Sequence, residues 1–242
     1  MEVLALLGVI TGFISGFFGV GGGMILVPML LFAGFDIKSA IAISIMQMVF
    51  SSIYGSFLNS KKNKAILKDG LLIGSGGFIG GLFSGVIISN VDGQYLKYLF
   101  LFIIIFAIFR VYFTPSEHDK EIKQHNKFIL IFIGFCIGII AMSIGVGGSV
   151  MLTPILVGYM FYNLKDASSL GLFFVIFSSI AGFISLSLSD QMLYYEGSII
   201  GLFSLIGVYF GIKTKNIIKI TSYKKLILGL YTIILISFLF KI

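Results

Sequence analysis

The chain has 242 residues, of which 58% are hydrophobic and 11% charged, and its formal net charge is +7. Its mean hydropathy of +1.09 is more than a soluble domain of this length can bury, so a soluble protein is excluded. The Lys and Arg residues fall in loops beside apolar runs, as in membrane proteins, so the composition predicts an integral membrane protein in a lipid bilayer with no nucleic-acid partner.

Eight charge-free runs follow one another along the chain. They are 3–35, 39–60, 70–91, 98–109, 128–164, 167–189, 197–212 and 226–240. Most of them suit a single crossing, which takes about 20 apolar residues. The runs 3–35 and 128–164 are too long, because such a helix would extend ~50 Å across a hydrocarbon core of ~30 Å. Each of these two runs has a glycine cluster near its middle, so we predict a long helix, a break and a shorter helix in each.

The two glycine clusters have nearly the same sequence, 126 residues apart, and each is followed by a proline. They are Gly19-Val20-Gly21-Gly22-Gly23 with Pro28, and Gly145-Val146-Gly147-Gly148-Ser149 with Pro154. Glycine clusters break helices, and broken backbone inside a membrane must be covered by protein or line a cavity. Two broken helices at matching positions indicate the binding site of a transporter.

The similarity extends beyond the clusters to most of the chain. At a spacing of 126, the matching pairs are Gly8 and Gly134, Gly12 and Gly138, Leu26 and Leu152, and Leu30 and Leu156. After one inserted residue, the pairs are Ala40 and Ala167, Ser51 and Ser178, Ser52 and Ser179, Gly55 and Gly182, Gly70 and Gly197, Gly74 and Gly201, and Gly80 and Gly207. We therefore predict a first repeat over 1–113, a cytoplasmic linker over 114–126 and a second repeat over 127–242.

Loop charges predict that the two repeats are inverted. The loop at 61–68 carries four lysines, whereas its counterpart carries Asp190 and Glu196 and no lysine. The next loop reverses this, with one lysine at 92–97 and five at 213–225. Positively charged loops stay in the cytoplasm, so matching loops lie on opposite sides of the membrane. Counting crossings then predicts an all-α protein in which each repeat is a broken, re-entrant helix pair plus three transmembrane helices, with both termini outside.

The broken helices offer an anion site. A helix that begins inside the membrane, here predicted at Met24 and Val150, has free N–H groups and a partial positive charge. Inverted repeats would bring the two helix starts together near the midplane. We predict that these backbone positions bind the substrate: Gly19, Gly21, Gly22, Gly23, Gly145, Gly147, Gly148 and Ser149. Pro28 and Pro154 are predicted to be structural residues of the same motif. Alternatively, the glycines serve only close helix packing.

Polar side chains in the spans add two predicted substrate-binding residues. Ser44, Gln47 and Ser51 share one helical face. A serine in a membrane helix usually bonds a carbonyl of its own helix, but the amide of Gln47 needs a partner. We therefore include Ser44 and Gln47. The sequence has no charged residue clearly in the middle of a span and no nucleophile–base pair or metal-ligand cluster, which predicts neither an enzyme nor a cofactor or metal.

The phrases Gly12-x6-Gly19-Val-Gly-Gly-Gly-x4-Pro28 and Gly138-x6-Gly145-Val-Gly-Gly-Ser-x4-Pro154 resemble the TauE/SafE family of sulfite exporters. The segment Ala40-Ile-Ala-Ile-Ser44-Ile resembles that family's Ala-x-x-Thr-Ser-Leu, with Ile43 in place of threonine. The second copy, Ala167-Ser-Ser-Leu-Gly171-Leu, lacks both hydroxyl positions. The resemblance implies a permease of the bacterial inner membrane for sulfur-containing anions, such as sulfite or organosulfonates.

The leading hypothesis is a secondary transporter or facilitator that exports such small anions. Moving one negative charge out of an inside-negative cell releases ~2.3 kcal/mol per 100 mV, so export needs no visible coupling residue. An anion channel and a non-transporting membrane subunit that binds a partner are the alternatives. The sequence leaves open the substrate, the direction, a coupling ion and whether the chain forms a homo-oligomer.

Overall fold

In the computed structural model, residues 1–59, 66–113 and 126–241 are described, and they contain helices and connecting turns but no strand. The helices are α1 (Glu2–Phe18), α2 (Gly23–Phe32), α3 (Ile37–Asn59), α4 (Ile66–Gly81), α5 (Ser84–Asn90), α6 (Gly93–Phe113), α7 (Lys127–Ser143), α8 (Ser149–Met160), α9 (Leu164–Leu188), α10 (Tyr194–Ile217) and α11 (Ile220–Leu239). The sequence therefore gives an all-helical protein over the described ranges, as predicted.

Six segments of the described chain are long and apolar enough to cross a membrane. They are Ile37–Asn59, Lys68–Asn90, Gly93–Phe113, Leu164–Leu188, Tyr194–Ile217 and Ser222–Leu239. The shorter apolar helices α1, α2, α7 and α8 form the two predicted pairs. The count of six spans and two pairs agrees with the sequence prediction. Most of the lysine-rich loop at 61–68 and most of the linker over 114–126 lie outside the described residues.

The second helix of each pair begins one residue before the predicted Met24 and Val150. The carbonyl of Gly22 accepts the N–H groups of Ile25 and Leu26, both at 3.1 Å, so α2 already begins at Gly23. The same pattern starts α8 at Ser149. A glycine in the left-handed conformation precedes each helix, and the helix begins at the next residue. The sequence prediction placed the start of each helix one position too late.

The helices α3 and α9 form the centre of the molecule. Their spans are 67% and 61% buried, the two largest values among the six spans, whereas those of α6 and α11 are 33% and 28% buried. Residues 40–48 of α3 are all buried. The helices α2 and α8 pack on α3 and α9 respectively, while α6 and α11 lie at the periphery.

Glycines allow the first helix of each pair to touch a long span of the other half. A methyl group added at Gly12 of α1 would overlap the carbonyl of Ser204 in α10. A methyl group added at Gly138 of α7 would lie 2.5 Å from the carbonyl oxygen of Gly77 in α4. Gly12 and Gly138 are 126 residues apart, and Gly77 and Ser204 are 127 residues apart, so the two contacts join matching positions of the repeats. The two halves therefore use the same close backbone packing.

The second span of the first half has an interruption that the sequence did not predict. The helix pauses at Leu82 and Phe83, between α4 and α5. The hydroxyl of Ser185 in α9 donates to the carbonyl of Leu82 at 2.6 Å and accepts the N–H of Gly85 at 2.9 Å. One buried serine thus satisfies two backbone groups at the interruption.

Candidate functional site

The two breaks have the same pattern of positive-φ glycines. Three glycines in each break have positive φ, in the same order along the chain. The values are 70°, 77° and 85° at Gly19, Gly21 and Gly22, and 67°, 87° and 66° at Gly145, Gly147 and Gly148. Side-chain-bearing residues rarely adopt this left-handed region. The repeated phrase in the sequence therefore records a repeated turn, and the intervening Val20 and Val146 stand where φ is not positive.

The two breaks lie against each other in the interior. A methyl group added at Gly23 would overlap the carbonyl oxygen of Gly145, and one added at Gly147 would lie 3.2 Å from the carbonyl oxygen of Val20. All of these residues are buried. The starts of α2 and α8 are therefore neighbours, although they are 126 residues apart in the sequence.

The start of α2 presents backbone donors. At the end of α1, the N–H of Gly19 bonds the carbonyl of Ser15 at 2.8 Å. The N–H groups of residues 20–23, by contrast, have no acceptor among the described residues. In the second break, the N–H of Val146 bonds Ala141 at 3.0 Å and that of Ser149 bonds Gly147 at 2.7 Å. The first break therefore offers more backbone donors, at the positive end of a helix.

Gln47 lies directly on the first break. Its side chain is fully buried, and neither amide atom has a hydrogen-bond partner among the described residues. A methyl group added at Gly22 would lie 2.6 Å from Oε1 and 2.8 Å from Nε2. The amide therefore packs on the glycine that precedes α2. The residue at the matching position in the second half is Phe174, whose ring packs on Gly148 in the same way.

The predicted serines differ in what they offer. The hydroxyl of Ser44 lies at the second break, 2.8 Å from the carbonyl oxygen of Ile41 and 3.1 Å from that of Gly145. Its single hydrogen is thus engaged by carbonyls. The hydroxyl of Ser149 is buried and has no partner in the described part of the chain. Ser149 and Gln47 are therefore the predicted side chains whose polar atoms stay available.

Met48 and Val175, neither of which is predicted from the sequence as a site residue, fill the space between the breaks. The sulfur of the fully buried Met48 would lie 2.6 Å from a methyl group added at Gly147 and 3.3 Å from one added at Gly21. Val175 lies 127 positions later and contacts the same two glycines. An apolar side chain from each central helix thus occupies the junction. The only sequence signal was the position of Met48 next to Gln47.

Lys215 is a third residue near the breaks that no pattern in the sequence singles out. It lies two residues before the end of α10 but is only 3% exposed. Its ammonium group donates to the hydroxyls of Ser168 and Ser169 in α9, at 3.1 and 3.0 Å. A buried charge in a membrane protein usually marks a functional position.

Comparison with known proteins shows the family of this chain. Residues 4–238 match the sequence model of the family described as "Sulfite exporter TauE/SafE". The chain belongs to the TauE/SafE family. This confirms the resemblance expected from the doubled glycine motif. No solved structure gives a significant match to the chain.

Relatives of this TauE/SafE protein are named as transporters. A "probable membrane transporter protein" of Methanocaldococcus jannaschii is 30% identical over 196 residues, covering 76% of this chain and 72% of that protein. One from Haemophilus influenzae is 25% identical over 219 residues, covering 88% and 84%. One from Bacillus subtilis is 26% identical over 229 residues, covering 89% of each. These names are consistent with a multi-pass membrane transporter rather than an enzyme.

Proposed function

We propose that this TauE/SafE protein is a secondary transporter or facilitator that exports small sulfur-containing anions, sulfite or organosulfonates, across the bacterial inner membrane. The proposed site is the junction of the two breaks. The observation that carries the proposal is the buried amide of Gln47, which has no partner in the described chain and lies beside the N–H groups that open α2.

The chemistry of this junction favours an anion. Backbone N–H groups at a helix start are oriented donors with a partial positive charge, so they bind oxyanions without a charged side chain. The Nε2 group of Gln47 adds a side-chain donor at Gly22, and the hydroxyl of Ser149 adds one at the second break. The substrate-binding set of Gly19, Gly21–Gly23, Gly145, Gly147, Gly148, Ser149, Ser44 and Gln47 enters the proposal as predicted from the sequence.

The transport mechanism that we propose is alternating access between two inverted halves. The paired contacts of Gly12 with Ser204 and of Gly138 with Gly77 support a two-fold relation between the halves. The opposite loop charges support the inversion, with both termini outside. Rocking one half against the other would then expose the junction to either side in turn.

A flux assay tests the substrate. Purified protein in liposomes should move sulfite or a small sulfonate with saturable kinetics, faster than protein-free vesicles do. Flux equal to that of protein-free vesicles would overturn the proposal. Single-channel currents or flux without saturation would instead establish an anion channel, and a stoichiometric co-purifying protein without any flux would establish a partner subunit.

Cysteine labelling tests the inversion. Cys136 is the single cysteine of the chain, so Cys136→Ser gives a background without thiols. Cysteines placed at Lys62 and at Asp190 should react with an impermeant reagent from opposite sides of the membrane. Labelling of both positions from the same side would refute the inverted arrangement.

A further inference from the structure

A lysine is buried beside the first break. Lys215 is 3% exposed, and its ammonium group lies 3.1 Å from the hydroxyl of Ser168 and 3.0 Å from that of Ser169. Among the described residues, Lys215 is the one charged side chain that is buried. Holding a charge away from water is costly, so a buried lysine in a membrane protein needs a reason for its presence.

The same group of polar residues touches the end of α1. The hydroxyl of Ser168 donates to the carbonyl of Phe18 at 2.6 Å, and the hydroxyl of Tyr223 donates to that of Phe17 at 2.9 Å. Ser168 also packs directly on Gly19, the first left-handed glycine of the break. The charge of Lys215 is therefore separated from the first break by a single serine side chain.

The other half has no such group. At a spacing of 127, Lys215 corresponds to Ile88, Ser168 to Ile41, Ser169 to Ala42 and Tyr223 to Leu96. All four of these apolar residues are buried, with at most 1% exposure. One side of the junction is thus polar and cationic, whereas the matching position on the other side is hydrocarbon.

This difference separates two explanations of Lys215. A cation near the last carbonyls of a helix stabilises the helix end, and Lys215 could serve only that purpose for α1. The break after α7 has the same order of positive-φ glycines, however, and it is formed with Ile88 in place of the lysine, although α7 ends one position earlier in its repeat, at Ser143. The fold therefore does not require a lysine at this position, which favours a role in binding.

We infer that Lys215, with Ser168 and Ser169, forms a one-sided cationic station for the transported anion, next to the donors of the first break. This inference rests on the proposed function. The ammonium group would balance the charge of a sulfite or sulfonate head and donate to its oxygens. Ser168 and Ser169, whose hydroxyls donate to the carbonyls of Phe18 and Lys165, would hold the ammonium group in place by accepting from it. Because the lysine-rich segment at 213–225 marks this side as cytoplasmic under the proposed orientation, the station would capture the anion from inside the cell.

Charge-altering variants test the station in the full-length protein. Lys215→Met should weaken sulfite binding and raise the KM of sulfite flux at least tenfold, whereas Lys215→Arg, which keeps the charge, should stay within about threefold of the original protein. Lys213→Met is the matched control, because Lys213 is exposed on the same helix. It loses the same charge and should leave both quantities unchanged. Unchanged affinity in a folded Lys215→Met protein would overturn the inference and leave only the helix-end role.

A labelling experiment gives an answer even where Lys215→Met does not fold. In the Cys136→Ser background, Ser169→Cys keeps the lysine. An anionic, impermeant methanethiosulfonate reagent should modify this cysteine from the cytoplasmic side, and sulfite should slow the reaction at least threefold. Equal rates with and without sulfite, in a protein that transports sulfite, would overturn the station alone. Absence of sulfite binding and flux in the original protein would instead overturn the proposed function and the station together.

Discussion

Replacement of Gln47 by methionine should make the protein more stable and at the same time less able to bind its substrate. Methionine has a similar length and fits irregular buried space. It removes an amide of which neither polar atom has a partner among the described residues. A buried polar group without a partner costs about 1–3 kcal/mol. The ligand-free variant should therefore gain stability of that order, and each 1 kcal/mol raises the melting temperature by roughly 2–4 °C at this chain length.

The same change should weaken anion binding. A hydrogen bond to a charged group contributes about 1.5–3 kcal/mol, so losing the Nε2 donor should raise the Kd of sulfite roughly ten- to hundredfold. Thermal unfolding of the purified protein, measured with and without sulfite, reads both effects. Gln94→Met is the matched control, because Gln94 is exposed on α6 and should change neither quantity. A Gln47→Met protein that melts below the original protein, or that keeps its sulfite shift, would refute the reasoning.

Three further changes test other parts of the structure. Met48→Ala should cost about 2–5 kcal/mol of stability by opening a cavity between the breaks and should raise the flux of bulkier sulfonates relative to sulfite; an unchanged flux ratio would exclude Met48 as a size filter. Gly12→Val should abolish monodisperse protein in size-exclusion chromatography, because the side chain would overlap Ser204, whereas Gly229→Val, with no atom within 4 Å of the added carbon, should be tolerated. Asp36 caps α3: burial acts to raise its pKa, but hydrogen bonds from Ser39 and Lys38 outweigh burial and lower the pKa. Its stabilising effect is therefore present above the unfolded-state pKa and is lost as the pH falls through the folded-state pKa. The melting temperature of Asp36→Asn should therefore fall less than that of the original protein when the pH is lowered through this range. An equal fall in both proteins would contradict this.

The broken helices could be predicted from the sequence because two independent signals agree there. The runs 3–35 and 128–164 are too long for one crossing, and glycines fall near their middles. A glycine phrase repeated with an intervening valine indicates a backbone with fixed positive φ positions, which Gly21 and Gly147 then show at 77° and 87°. Local steric rules decide which residues take positive φ, so the sequence alone predicts where α2 and α8 begin to within one residue.

The side chains around the breaks could not be predicted in the same way, because distant helices decide their surroundings. Lys215 stands near the end of α10, where counting charges assigns it to a loop, but its ammonium group contacts Ser168 of α9 and lies over the ring of Tyr223 in α11. The hydroxyl of Ser44 reaches the carbonyl of Gly145, 101 residues away. Neither contact has a sequence signal within its own helix.

The two halves share the positive-φ glycines of their breaks but differ in the chemistry of the side chains around them. Gln47 on the first break corresponds to Phe174 on the second, and the buried Lys215 corresponds to Ile88. Both differences place the polar member at the first break. The glycine phrases alone predict two equal contributors to the site, but these contacts favour unequal ones. Under the proposed function, the start of α2 holds the charge of the anion, and the second break supplies mainly an apolar wall with the hydroxyl of Ser149. An unequal site of this kind would also explain how a duplicated fold distinguishes the two sides of the membrane, since a fully symmetric junction would bind the anion equally well from either side.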